Sequence, residues 1–140
     1  MAFDFIGPMC ALSFSAIGAA IGCSIAGMVS HAVMARVEEG QGKMIGLSAV
    51  PASQLIYGFI LMLLLKNAIE SGSVTIITSI AIGVGSGLAI LVAAIYQGMC
   101  CASAIQAVAK QPSLFGKTFV IIGIVESFAL FAFVFALLLM

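Results

Sequence analysis

Charge is nearly absent from this chain. Charged residues make up 7% of its 140 residues, five basic and five acidic, and the formal net charge is zero. A soluble domain of this length carries several times more, so a water-exposed surface is excluded. The neutral balance also removes the electrostatic footprint that nucleic acid or an anionic substrate needs. Tryptophan is missing, and histidine occurs once, as His31. No phosphate-binding GxxxxGK loop and no GxSxG elbow occurs, and no loop is long enough to hold a nucleotide, which excludes a free-standing enzyme. The four cysteines (Cys10, Cys23, Cys100 and Cys101) lack zinc-ligand spacing, and the adjacent pair points to different faces of a helix. They read as small packed or lipid-facing residues. The opening MAFDFIGP carries an acid where a signal peptide has a basic segment, and the apolar run after it is too long for a cleaved signal. That run is expected to be a mature membrane span.

What remains is apolar: 64% of the residues are hydrophobic. Four long stretches, at about 5–34, 44–65, 74–109 and 118–140, each exceed the roughly 20 residues that cross a bilayer as a helix. The first and third are longer than a bilayer needs, and so should tilt or project beyond it. An all-α membrane protein of four transmembrane helices is therefore expected. The few charges gather in the connections. Arg36, Glu38, Glu39 and Lys43 lie in the first, Lys66 and Glu70 in the second, and Lys110 and Lys117 in the third. Four of the five basic residues thus fall in the first and third connections. By the positive-inside rule both face the cytoplasm, leaving both termini of this multi-pass chain on the other side of the cell membrane. Lys66 and Glu70 would then anchor the opposite turn in the headgroups, and His31 lies near the cytoplasmic interface.

The chain repeats itself. Ile17-Gly18-Ala19-Ala20-Ile21-Gly22 echoes Ile82-Gly83-Val84-Gly85-Ser86-Gly87. Ser53-Gln54-Leu55-Ile56-Tyr57 stands in the place of Val125-Glu126-Ser127-Phe128-Ala129, and both runs end in leucines. Two hairpins, 1–70 and 71–140, are expected from an old duplication. Each half starts and ends on the same side, so the repeats are parallel, unlike the inverted repeats common in secondary transporters. Gly18 and Gly22 form GxxxG in the first helix, as Gly83 and Gly87 do in the third. Such faces let backbones approach closely in lipid. They fit either ordinary packing in a four-helix bundle or the wall of a closed ring built by a heterologous contact.

Against this background a few polar residues stand out. Glu126, in GIVESFALFAFVFALLLM, is the one charge inside any of the four stretches. A lone carboxylate near mid-bilayer is expensive and is a functional candidate by default. In the second stretch Val50, Ser53, Gln54 and Tyr57 follow i, i+3, i+4, i+7 spacing. Pro51 removes a backbone donor there, so a carbonyl one turn earlier is expected to lose its partner. Gln97 interrupts the third stretch. Gln54, Gln97 and Glu126 each lie roughly 9–13 residues from the charged connections, about 14–20 Å deep at helical rise. Three deep polar groups at one level suggest a shared site, although each glutamine alone is also explained as interhelical glue. Carboxylate, amide, hydroxyl and carbonyl oxygens are hard donors, and a single acid balances a monovalent cation. Sodium suits that set; a proton needs only Glu126 and stays open.

The duplicated hairpin, the glycine-rich first and third helices, VES in the last, and VPASQLIYG and IYQG together resemble the two-hairpin proteolipid (the c or K component) of V-type and A-type rotary ATPases, closest to sodium-translocating members. The resemblance spans essentially all 140 residues. It implies a rotor ring of identical subunits in which Glu126 carries Na+, or alternatively H+. Ser53 and Gln54 would add side-chain oxygens, Val50 its carbonyl and Gln97 its amide oxygen, while Tyr57 closes the site on Glu126. Gln54 stands where a single-hairpin rotor protein has a carboxylate, implying one ion per four helices. The resemblance further implies surrounding lipid, a stator subunit with an essential arginine, and central-stalk subunits at the cytoplasmic loops. A rival from another class is a four-helix cation or drug antiporter. Such proteins usually place their glutamate in the first helix beside aromatic residues, whereas this one is in the fourth. A purely structural tetraspan protein leaves Glu126 unexplained.

Overall fold

A computed structural model describes residues 3–140. Among the described residues all regular secondary structure is helical, and there is no strand. Helix α1 spans Ile6–Met34, α2 Gln41–Ala49, α3 Ser53–Glu70, α4 Ile76–Lys110 and α5 Phe115–Leu138. Short 3-10 turns, Val50–Ala52 and Pro112–Leu114, join α2 to α3 and α4 to α5. With α2 and α3 counted as one segment, four helical stretches are long and apolar enough to cross a membrane. Helices are what such a composition allows, because hydrocarbon offers backbone amides no partner outside their own segment. The second span runs from Gln41 to Glu70, longer at both ends than the expected 44–65.

Pro51 does not leave the Leu47 carbonyl bare. The missing proline N–H would have bonded to the Leu47 carbonyl; that oxygen accepts from the Val50 N–H instead, in a tightened turn. The chain then passes through the 3-10 turn, and α3 begins at Ser53. The break has a packing partner as well, for Pro51 is buried against Gly22 of α1. At the far end α3 closes in a Schellman turn. Gly72, at φ 76°, donates to the Ile69 carbonyl, and Ser73 donates to the Ala68 carbonyl, each at 3.0 Å. Thr75 opens α4 by accepting a hydrogen bond from the Thr78 N–H at 3.2 Å.

Helices α1 and α4 run parallel and pack backbone to backbone. Gly7 lies against Gly83, Ala11 against Gly87, Gly18 against Leu91 and Ala94, and Gly22 against Ala94 and Gly98. A Cβ on Gly22 would fall on the Ala94 carbonyl, and one on Gly98 would fall on Gly22. Each GxxxG motif therefore packs on the opposite helix of the same chain but not on its counterpart: Gly18 and Gly22 meet Leu91, Ala94 and Gly98, while Gly83 and Gly87 meet Gly7 and Ala11. Helix α3 runs back along α1, with Gly58 over Ser15, and α5 lies outside α4. Three apolar clusters stack along the bundle. One near the charged loops contains Ala26, Met44, Leu47, Cys101, Ile105 and Ile122. One at the opposite end holds Ala11, Leu61, Leu65, Ile82 and Ala136. A small middle cluster of Ile90, Ala93 and Ala129 has Tyr57 at its edge. The outer helices expose large side chains, among them Ile56 and Phe59 on α3 and Ile124, Phe128 and Phe131 on α5. A face of that kind suits lipid, not water.

Candidate functional site

At mid-height, polar side chains from three helices meet. Ser53, the first residue of α3, donates to Glu126 Oε1 at 2.8 Å, and Tyr57, one turn on, donates to the same oxygen at 3.2 Å. Both reach α5 because residues four apart lie on one helical face. Ser53 Oγ also lies 3.0 Å from the Val50 carbonyl. A hydroxyl has one proton, so it bonds to Glu126 or to Val50, not to both. Facing an ionised Glu126 the charge-assisted bond prevails, worth about 1.5–3 kcal/mol. The turn at Pro51 brings the Val50 carbonyl into this group, since a tightened 3-10 turn leaves it within reach of Ser53.

A second pair lies deeper. Gln54 Nε2 donates to Gln97 Oε1 at 2.9 Å, and both residues are fully buried. Each amide has more capacity than this one bond uses. Gln54 Oε1 and Gln97 Nε2 are buried without a hydrogen-bond partner among the described residues. Turning both amides over would preserve the bond while exchanging these roles, so one carbonyl oxygen and one nitrogen stay unpaired either way. An unmade bond of that kind costs about 1–3 kcal/mol, so the pair keeps one acceptor and one donor in reserve beside its shared bond.

The structure thus gathers the six residues singled out from the sequence into two adjoining groups. Val50, Ser53, Tyr57 and Glu126 form one; Gln54 and Gln97 form the other. The single face read from i, i+3, i+4, i+7 spacing divides here, with Ser53 and Tyr57 turned to α5 and Gln54 to α4. Gln97 makes no hydrogen bond to Glu126; its one side-chain hydrogen bond among the described residues is with Gln54. Two supporting contacts went unread in the sequence. Phe133 packs on Tyr57 with ring centroids 5.9 Å apart, and Ala129 is buried beneath the same ring. Their spacing from Glu126, i+3 and i+7 on α5, was the available signal. Ser127, next to the carboxylate, bonds back to the Ile124 carbonyl at 2.7 Å, as membrane serines commonly do.

Known proteins resemble this chain over most of its length. The ATP synthase C-subunit family matches the chain twice, over residues 6–65 and again over 80–139. The chain is similar to the A-type ATP synthase subunit K of Methanocaldococcus jannaschii, 33% identical over 122 residues that cover 86% of this chain and 56% of that protein. It thus spans just over half the length of that relative. It is also similar to the V-type sodium ATPase subunit K of Enterococcus hirae, 31% identical over 143 aligned positions, covering 99% of this chain and 90% of that protein. Two consecutive matches, four spanning helices and relatives of this description leave no room for the antiporter reading. The chain belongs to the ATP synthase C-subunit family, as a two-hairpin c/K proteolipid.

Proposed function

We propose that this chain is a rotor component of a V-type or A-type rotary ATPase that carries Na+ on Glu126 across the membrane. It is an ion-translocating part of the machine and catalyses no reaction itself. The observation that carries the sodium reading is the leftover amide oxygen of the Gln54–Gln97 pair, with Gln54 next in sequence to Ser53, whose hydroxyl meets Glu126 together with that of Tyr57. A proton has no use for that oxygen, whereas a monovalent cation has use for every donor present. The ligands proposed for the ion are Glu126, Gln97, Gln54 and Ser53 through their side chains and Val50 through its carbonyl, with Tyr57 closing the site. The Enterococcus hirae relative is named as part of a sodium ATPase, which supports the same choice.

The duty of Glu126 follows from electrostatics. A bare carboxylate on the lipid side costs at least about 2.5–3.5 kcal/mol at mid-membrane, so the site passes through lipid only while an ion neutralises it. Moving one charge across is worth roughly 2.3 kcal/mol per 100 mV, which sets the work done per site. In this reading identical subunits close into a ring, each contributing hairpins 1–70 and 71–140 but one ion, because Gln54 replaces the first hairpin's carboxylate. A stator subunit supplies an arginine that discharges Glu126, and stalk subunits meet the loops around Arg36–Lys43 and Lys110–Lys117. Both termini face away from the cytoplasm.

One observation favours the proton as cargo instead. The Ser53 hydroxyl has two acceptors in reach, so it can turn to Val50 and leave a protonated Glu126 free to donate to it. Labelling of the detergent-solubilised protein with dicyclohexylcarbodiimide separates the two cargoes. Modification at Glu126 that sodium suppresses is expected. Labelling that follows pH and ignores sodium would keep the rotor and replace the ion. No labelling at Glu126 under any condition would overturn the reading.

A further inference from the structure

Two cations at the charged-loop end of the bundle are unused by the ion site. Arg36 lies two residues past the end of α1, and Lys110 is the last residue of α4. Neither side chain has a hydrogen-bond or ion-pair partner among the described residues, although Glu38 and Glu39 follow closely in sequence. Both cations line the same groove, of about 650 Å³, together with Met28, Val29, Val33 and Val37, and no acidic residue lines it. From Met28 to Arg36 the groove follows α1 for about 12 Å at helical rise. It is apolar within the span and positive where the helices leave it.

We propose that this groove binds an anionic phospholipid, its phosphate held by Arg36 and Lys110 and one acyl chain laid along Met28 and Val33. The two halves of the groove demand the two halves of such a molecule. Free phosphate or an acidic peptide satisfies the cations and leaves the apolar length uncovered; a neutral lipid does the reverse. Carboxylates supplied by a second copy would likewise satisfy the cations and leave the apolar length uncovered. An arginine fork and a lysine ammonium are suited to phosphate oxygens, and basic pockets between spanning helices favour acidic headgroups. The inference stands apart from the choice of ion at Glu126.

The test is native mass spectrometry of the full chain, reconstituted in bilayers of equal phosphatidylglycerol and phosphatidylcholine with identical acyl chains and then extracted in mild detergent. Wild type is expected to retain phosphatidylglycerol. The R36Q/K110Q variant should lose that preference by roughly tenfold or more, at about 1 kcal/mol per basic residue. The charge-preserving R36K/K110R variant should keep it, which separates loss of the site from loss of the fold. An equal loss in K43Q/K117Q would show general surface attraction and overturn the site. Equal retention of both lipids by wild type would overturn it too, as would cross-linking of a second copy through the groove with no lipid retained.

Discussion

At the scale of single residues, the carboxylate is ordinary and its donors are not. Glu126 Oε1 accepts two hydroxyls, and they differ in closeness, 2.8 Å from Ser53 against 3.2 Å from Tyr57. Ser53→Ala should therefore weaken sodium protection of Glu126 more than Tyr57→Phe does. Loss of a charge-assisted bond corresponds to about 1.5–3 kcal/mol, or at least tenfold in the protecting concentration, while the longer bond is worth about 1 kcal/mol. Tyr57→Phe also keeps the ring that packs on Phe133, so its effect isolates the hydroxyl. Sodium titration of carbodiimide labelling measures both, and equal midpoints would contradict the ranking. The glutamine pair invites a cycle. Gln54→Leu or Gln97→Leu alone leaves the partner amide buried and unpaired, at about 1–3 kcal/mol, whereas the double change removes both amides. Thermal unfolding in detergent should show the double variant losing less than the sum of the singles. Strict additivity would mean that the 2.9 Å bond contributes nothing.

At the scale of elements, the contact between α1 and α4 orders the bundle. Gly22 and Gly98 touch, whereas Gly27, a little further along α1, has open space around its missing Cβ. Gly22→Ala should destabilise the chain by about 1–3 kcal/mol, because the methyl group meets the Ala94 carbonyl and Pro51 and neither backbone element can step aside. Gly27→Ala should be neutral or slightly stabilising in the isolated chain, since alanine is the better helix former by up to about 1 kcal/mol. Melting temperatures of the two variants, measured at the same detergent concentration, check the contrast. The break at Pro51 shows how far an element is readable from sequence. A proline within an apolar span signals a perturbed helix. That the perturbation is a 3-10 turn, with the Leu47 carbonyl re-bonded and Val50 drawn toward Ser53, depends on the fit of Pro51 against Gly22.

At the scale of the whole molecule, the two connections rich in basic residues lie at one end of the bundle and the Ser71–Val74 turn at the other. In cells, a maleimide that does not cross membranes should label Ser73→Cys from outside and Gly40→Cys only after the membrane is opened. The four native cysteines lie within helices and are at most half exposed, so background labelling should be low. The reverse pattern would invert the proposed orientation. The exposed apolar belt of α3 and α5, set beside a half-buried Glu126, also places the carboxylate near the edge of the molecule. That position suits the proposed role, in which a partner subunit discharges Glu126.

The sequence alone determined the class of this protein: too little charge for water, four spans, a duplicated hairpin and one carboxylate deep in the last span. These are readable because hydropathy and helical rise are properties of one segment at a time, and depth along a helix is simply a count of residues. Only the tertiary structure decided which faces meet. The glycine motifs packed between α1 and α4 out of step with one another, Gln97 paired with Gln54 and not with Glu126, and Ser53 and Tyr57 parted from Gln54 to meet α5. Period and spacing specify a face of a helix but leave the rotation of that helix about its axis open. Close packing sets the rotation, through contacts as small as the missing methyl group at Gly22.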